Sequence, residues 1–110
     1  MIQLYRTNGT FIAEAAIACT ALRRLLGLFH PEARAKGALL IYPCNSVHTF
    51  FMRHAIDVVF ADKSKTILYV AHQVAPNRVR LAMGAYYAAE LPSGLAKQKS
   101  LKVGDALEFQ

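Results

Sequence analysis

Residues 44–62 read CNSVHTFFMRHAIDVVFAD, and the secondary structure assigned to this run decides the fold. Val, Ile, Thr and Phe dominate it, and β-branched and aromatic side chains favour extended backbone. Pro43 stands immediately upstream and works against a helix across Cys44–His48. The stretch is therefore predicted to be two strands, SVHTFFMR and IDVVFAD. In extended backbone, period two places His48, Phe50, Met52 and His54 on one face and Thr49, Phe51 and Arg53 on the other. Each face mixes apolar and polar groups, so one of them is expected to end in a pocket or at a sheet margin.

Upstream, GALLIYP lies between Gly37 and Pro43 and is too short for a helix, which makes it a buried strand. IQLYR alternates apolar and polar residues, and Asn8-Gly9 is a turn signal. FIAEAAI is then the returning arm of a hairpin. Thr20 offers a cap for ALRRLLGLF, where Leu22, Leu25, Leu26 and Phe29 recur at helical spacing, with Gly27 and His30-Pro31 marking the end; the alanines also allow an earlier start, at Ala15. Downstream, DKSK connects IDVVFA to TILYVAHQV as a polar hairpin turn, and Ala75-Pro76-Asn77 interrupts the pattern. AYYAAEL reads as a further strand, PSGLAKQK as a turn with one helical turn, and VGDALEF as a last strand opened by Gly104-Asp105. Short polar turns between successive strands imply mostly antiparallel pairing. The predicted class is α+β and β-dominated: residues 1–110 form a single compact domain, a curved, mostly antiparallel sheet or partly open barrel, with one helix in the N-terminal half over an open side.

Composition supports an ordered chain. Of 110 residues, 55% are hydrophobic and 18% charged, a balance that buries enough apolar surface to offset ordering entropy. No uninterrupted apolar run reaches the roughly 18 residues needed to span a bilayer, and MIQLYRTNGT lacks the charged-then-apolar order of a signal peptide. The expected compartment is the cytoplasm, where Cys19 and Cys44 form no disulfide. Lys and Arg number 13 against 7 Asp and Glu, a net +6. The basic residues fall in scattered pairs, as in Arg23-Arg24 and Lys63-Lys65. Such a distribution predicts weak, salt-sensitive nucleic-acid binding without sequence preference.

Several residues carry possible chemistry. Cys44, His48, His54 and Asp57 include good ligand types, but their spacing matches no closed tetrahedral set, so no tightly bound metal and no other cofactor is expected. A Cys44 nucleophile with His48 as its base would need a recognisable elbow, which the post-proline turn does not supply. Arg53 and Arg78 present planar guanidinium forks suited to carboxylate or phosphate, and Pro92-Ser93-Gly94 offers backbone donors in a turn. The structural alternative is that His48 is a satisfied core histidine, that Asp57 caps a turn or pairs with Arg53, and that Arg53 and Arg78 form ion pairs with Asp57 or Glu90.

In HTFFMRHAIDVVFAD, VAPNR at 74–78, AELPSG with LKVGD, and ALRRLLGLFHPE the sequence resembles the prokaryotic domain of unknown function 192, and the match covers nearly the whole chain. The resemblance implies a compact β-rich domain with a helix near the N-terminus, and no established reaction, cofactor or partner. This chain departs from the usual pattern at His54-Ala55 and at Leu28-Phe29-His30. Three functions follow as expectations. The first is a non-enzymatic binding module for an anionic small ligand or a protein partner, with His48, Arg53, Asp57, Arg78, Glu90, Ser93 and Gly94 as candidate ligand-binding residues. The second is a small metal- or thiol-dependent enzyme using Cys44, His48 and His54. The third is a weak nucleic-acid binder.

Overall fold

The computed structural model describes residues 2–19, 37–50 and 52–110, with the backbone alone of Ala18 and Cys19. The helix expected at 20–29 lies outside the described residues, but a start at Ala15 is ruled out, since Ala15–Cys19 pair with Ala38–Tyr42 in the sheet. Among the described residues there are nine strands: β1 (Ile2–Arg6), β2 (Phe11–Cys19), β3 (Ala38–Tyr42), β4 (Ser46–His48), β5 (Ile56–Ala61), β6 (Ile67–Val74), β7 (Val79–Leu81), β8 (Tyr87–Pro92) and β9 (Leu107–Phe109). A single helical turn, α1 (Leu95–Gln98), sits between β8 and β9, where the sequence places it.

Seven strands form one sheet in the order β6-β5-β8-β3-β2-β1-β9, and β4 pairs with β7 in a separate ribbon. Every pairing is antiparallel except β2 with β3. A parallel pair requires a long crossover, and residues 20–37 supply that length of chain between Cys19 and Ala38. The sheet curls until its two outer strands meet. Thr66 bridges Ala106, the Ile67 amide donates to the Asp105 carbonyl at 2.8 Å, and the Leu107 amide donates to the Lys65 carbonyl at 2.8 Å. The partly open barrel expected from the sequence is this curled sheet with one laced corner, a closure that removes part of the exposed edge. Arg6 reinforces the corner through Asp105 at 3.5 Å and the Ser100 carbonyl at 3.0 Å.

The β1–β2 hairpin turns where Asn8-Gly9 predicts it. The Asn8 side chain accepts the Thr10 amide at 2.9 Å, and Gly9 takes a φ of +92° that glycine adopts without steric cost. The hairpin at 62–65 is equally local, since Asp62 Oδ1 accepts the amides of Ser64 and Thr66. β5 is buried along its whole length because both of its faces are covered. Val59 and Ala61 join a core with Leu4, Leu40, Ala89, Leu91 and Ala96, while Ile56, Val58 and Phe60 pack with Val47, Ala71, Val74 and Ala82. The first core fills the hollow of the curled sheet under α1, and the second lies beneath the β4–β7 ribbon.

One sequence expectation needs correction. SVHTFFMR is not one long strand: β4 ends at His48, and Thr49 opens a turn. Its carbonyl accepts the amides of Met52 at 3.3 Å and Asn77 at 3.1 Å. The two-face alternation drawn over residues 48–54 therefore does not hold. The Thr49 hydroxyl is engaged instead with the Ala75 carbonyl and the Arg78 amide, distant in the chain, and the strand ends there. β7, which the sequence reading passed over, is the partner that makes so short a β4 possible.

Candidate functional site

Asp57 is fully buried, at 0% exposure. It lies opposite a bulge, because Ile56 pairs with Val74 and Val58 with Ala71, so β6 carries one residue more than β5 over this interval. Gln73, in the bulge, has a φ of +49°, a left-handed conformation that costs a non-glycine residue energy. The Gln73 amide donates to Asp57 Oδ1 at 2.7 Å, and the Ala96 amide donates to Oδ2 at 2.9 Å. Helix α1 has no side-chain cap of its own and begins from Gly94 at φ +88°. Asp57 therefore does from across the sheet what an N-cap residue does locally, and it fixes the bulge with its other oxygen.

Glu90 is also buried, at 3% exposure, but on the opposite face. Asp57 stands across from Leu91 and Glu90 across from Val58, and cross-strand neighbours share a face. The two carboxylates grouped in the sequence reading are thus separated by the thickness of the sheet. Arg53 and Arg78 are both exposed. The Arg78 guanidinium folds back on the Asn77 carbonyl at 3.2 Å and the Pro76 carbonyl at 3.5 Å. Among the described residues neither arginine is paired with a carboxylate, the ion pair present being Arg6–Asp105.

Thr49 joins the two arginine-bearing loops. It is buried at 1% exposure. Its hydroxyl donates to the Ala75 carbonyl at 2.7 Å and accepts the Arg78 amide at 2.9 Å, while its own amide donates to the Arg78 carbonyl at 2.9 Å. Sequence reasoning missed this residue as a tie. The available signal was the adjacent pair Phe50-Phe51, which breaks period two immediately after it. The loop entering β5 lies beside the turn that leaves β8, since Ile56 pairs with Pro92, and beside the end of β6, since Ile56 pairs with Val74. Arg53, Arg78, Ser93 and Gly94 consequently share one rim of the sheet. Ser93 is exposed. The Ala96 amide of the short helix is already bonded to Asp57, so the turn contributes a hydroxyl and shape rather than a helix-end anion site.

His48 lies at the end of β4, half-buried and stacked on Phe50 with ring centroids 5.0 Å apart, and its Nδ1 accepts the Phe50 amide at 3.3 Å. Cys44 Sγ donates to the Ser46 carbonyl at 3.0 Å. His54 is exposed beside Arg53. Among the described residues no group of three or more His, Cys, Asp and Glu side chains comes together in a way that would hold a metal ion, so Cys44, His48, His54 and Asp57 do not converge. At the other end of the sheet Tyr42, Tyr86 and Tyr87 form an aromatic cluster, with Tyr87 5.1 Å from the Phe109 ring. Burial, and then the neighbouring Tyr86 and Tyr42, raise the Tyr87 phenol above its ordinary value of 10.0. No helix among the described residues is long and apolar enough to cross a membrane.

This architecture recurs in known proteins. A solved structure of a protein of unknown function from Novosphingobium aromaticivorans superimposes with a TM-score of 0.76 at 20% identity, covering 97% of this chain and 82% of that one. A putative transcription regulator from Sinorhizobium meliloti 1021 superimposes with a TM-score of 0.77 at 19% identity, over 98% of this chain and 91% of that one. At such identities the likeness is one of fold. In sequence, a UPF0127 protein of Pyrococcus furiosus is 33% identical over 106 residues, 87% of this chain and 86% of the relative. A UPF0127 protein of Pyrococcus horikoshii is 30% identical over 108 residues, 93% and 92% of the two chains. With residues 4–109 matching the model of DUF192, described as "Uncharacterized ACR", the chain belongs to that family, whose function is uncharacterised.

Proposed function

We propose that the protein is a non-enzymatic binding module that holds a small anion, a carboxylate or phosphate, on the rim formed by Arg53, Arg78 and the Ser93-Gly94 turn. The observation that carries this reading is the pair of exposed guanidinium groups on loops tied together by Thr49, neither paired with a carboxylate among the described residues. An arginine fork matches the two oxygens of such an anion. The buried carboxylates do not compete for it: both oxygens of Asp57 already accept backbone amides, and Glu90 faces the other side of the sheet. Asp57 belongs to this reading as the residue that positions the turn, and His48 as the neighbour of the Thr49 tie.

Calorimetric titration at low salt with inorganic phosphate and with citrate tests the proposal. Saturable binding is expected, and Arg53→Ala combined with Arg78→Ala should weaken it by about tenfold or more, the equivalent of about 1.4 kcal/mol. Absence of saturable binding, or equal binding by the double variant, refutes it. The enzymatic alternative is less well supported, because Cys44 Sγ donates to the Ser46 carbonyl and His48 Nδ1 accepts the Phe50 amide.

A further inference from the structure

The β4–β7 ribbon presents a surface that the anion rim does not use. Its register pairs Ser46 with Leu81, Val47 with Arg80 and His48 with Val79, so Ser46, His48, Val79 and Leu81 share the outer face and Val47 and Arg80 the inner one. Val79 is 51% exposed, Leu81 61% and Met83 90%, and Phe50, stacked on His48, is 41% exposed. These side chains line an apolar strip along the ribbon. Among the described residues no other strand pairs with the far edge of β7. The Arg78 carbonyl accepts the amide of Thr49, the residue after β4, and the Ala82 amide donates to the carbonyl of Asn45, the residue before it, each at 2.9 Å. By alternation the main-chain groups of Val79 and Leu81 point to the far edge. Among the described residues the hydrogen bond there is from the Arg80 guanidinium to the Val79 carbonyl, at 2.8 Å.

Charge narrows the choice of occupant. Residues 37–56 and 63–89 contain no Asp or Glu, while Arg78 and Arg80 flank the open edge. A second copy adding through β7 would set arginine against arginine, and like charges directly opposite one another destabilise a strand pair. We propose that β7 docks an extended segment of a partner protein in which acidic and apolar residues alternate. The segment adds as a strand beside Val79–Leu81. The pleat then turns its apolar side chains toward Val79, Leu81 and Met83, and its carboxylates toward Arg78 and Arg80. This inference shares Arg78 with the anion rim, whereas Arg80, Val79 and Leu81 belong to the ribbon alone and Arg53 and the Ser93-Gly94 turn take no part in it.

Fluorescence anisotropy with a short labelled peptide alternating Glu and Val, titrated with the full chain, tests the proposal. The Glu/Val peptide is expected to bind saturably and more tightly than a Lys/Val peptide of equal length. Leu81→Asp, at an exposed position, and Leu81→Pro, which removes an outward amide, should each weaken binding about tenfold or more. Absence of saturable binding, equal binding of the Lys/Val peptide, or no loss in either Leu81 variant overturns it. Two further outcomes also overturn it: a dimer in sedimentation that Leu81→Asp dissociates, and tight binding of a labelled single-stranded oligonucleotide that the same variant abolishes.

Discussion

Replacing Asp57 with Asn changes shape very little and hydrogen bonding a great deal. Both carboxylate oxygens accept backbone amides, from Gln73 at 2.7 Å and Ala96 at 2.9 Å, in a site with 0% exposure. An amide side chain has one acceptor oxygen, so in Asp57→Asn one of those donors meets an NH2 group. The variant loses one charge-assisted bond, worth about 1.5–3 kcal/mol, and leaves a buried amide unsatisfied at about 1–3 kcal/mol. Removing a buried charge recovers part of this sum, because the ionised group no longer has to be held out of water. The net expected loss is about 2–4 kcal/mol, which for a domain of this size lowers the melting temperature by about 9–17 °C. Scanning calorimetry reads the global loss. Amide hydrogen exchange locates it: the Gln73 or Ala96 amide should exchange faster, the bulge or the first turn of α1 loosening according to which donor is left unpaired. A variant that melts with the wild type and keeps both amides protected would refute the assignment of Asp57 as the tie between bulge and helix.

Thr49→Val keeps the side-chain shape and removes the hydroxyl that serves the Ala75 carbonyl and the Arg78 amide. It should cost about 2–3 kcal/mol by urea denaturation and weaken anion binding at the rim, and wild-type values for both would show that the two loops are held by other means. For Tyr87, burial followed by Tyr86 and Tyr42 raises the phenol above 10.0, so the folded state retains its proton where the unfolded chain has released it. The resulting stability is complete below pH 10.0 and is lost as pH rises through the folded value. Melting temperature should therefore fall above pH 10.0 more steeply in the wild type than in Tyr87→Phe, and parallel curves would contradict this.

Local signals carried most of the strand pattern. Asn8-Gly9 marks its hairpin by an Asx contact and a left-handed glycine, Asp62 caps the amides of its own turn, and PSGLAKQK holds one helical turn. IDVVFA reads as a strand from its β-branched and aromatic residues, and all of it is buried, Asp57 included. Each of these depends on residues a few positions apart, where sequence spacing and spatial distance are nearly the same. Likewise, the resemblance to the family rested on linear motifs, and the family match over residues 4–109 agrees with it.

Tertiary structure alone decided the rest. β4 stops at His48 because the Thr49 hydroxyl finds Ala75 and Arg78, partners 26 and 29 residues away that no local pattern announces. Asp57 meets Ala96 across 39 residues, so its role as a cap from across the sheet depends on strand order and on a bulge in β6, not on its neighbours in the chain. The parallel pairing of β2 with β3 and the lacing of β6 to β9 are likewise products of how the sheet curls. Sequence periodicity fixes which side of a strand a residue occupies. It does not fix which strand lies beside it, because register between distant strands is settled by the joint burial of both faces. Asp57 and Glu90, grouped by their motifs, were placed on opposite sides of the sheet by that burial.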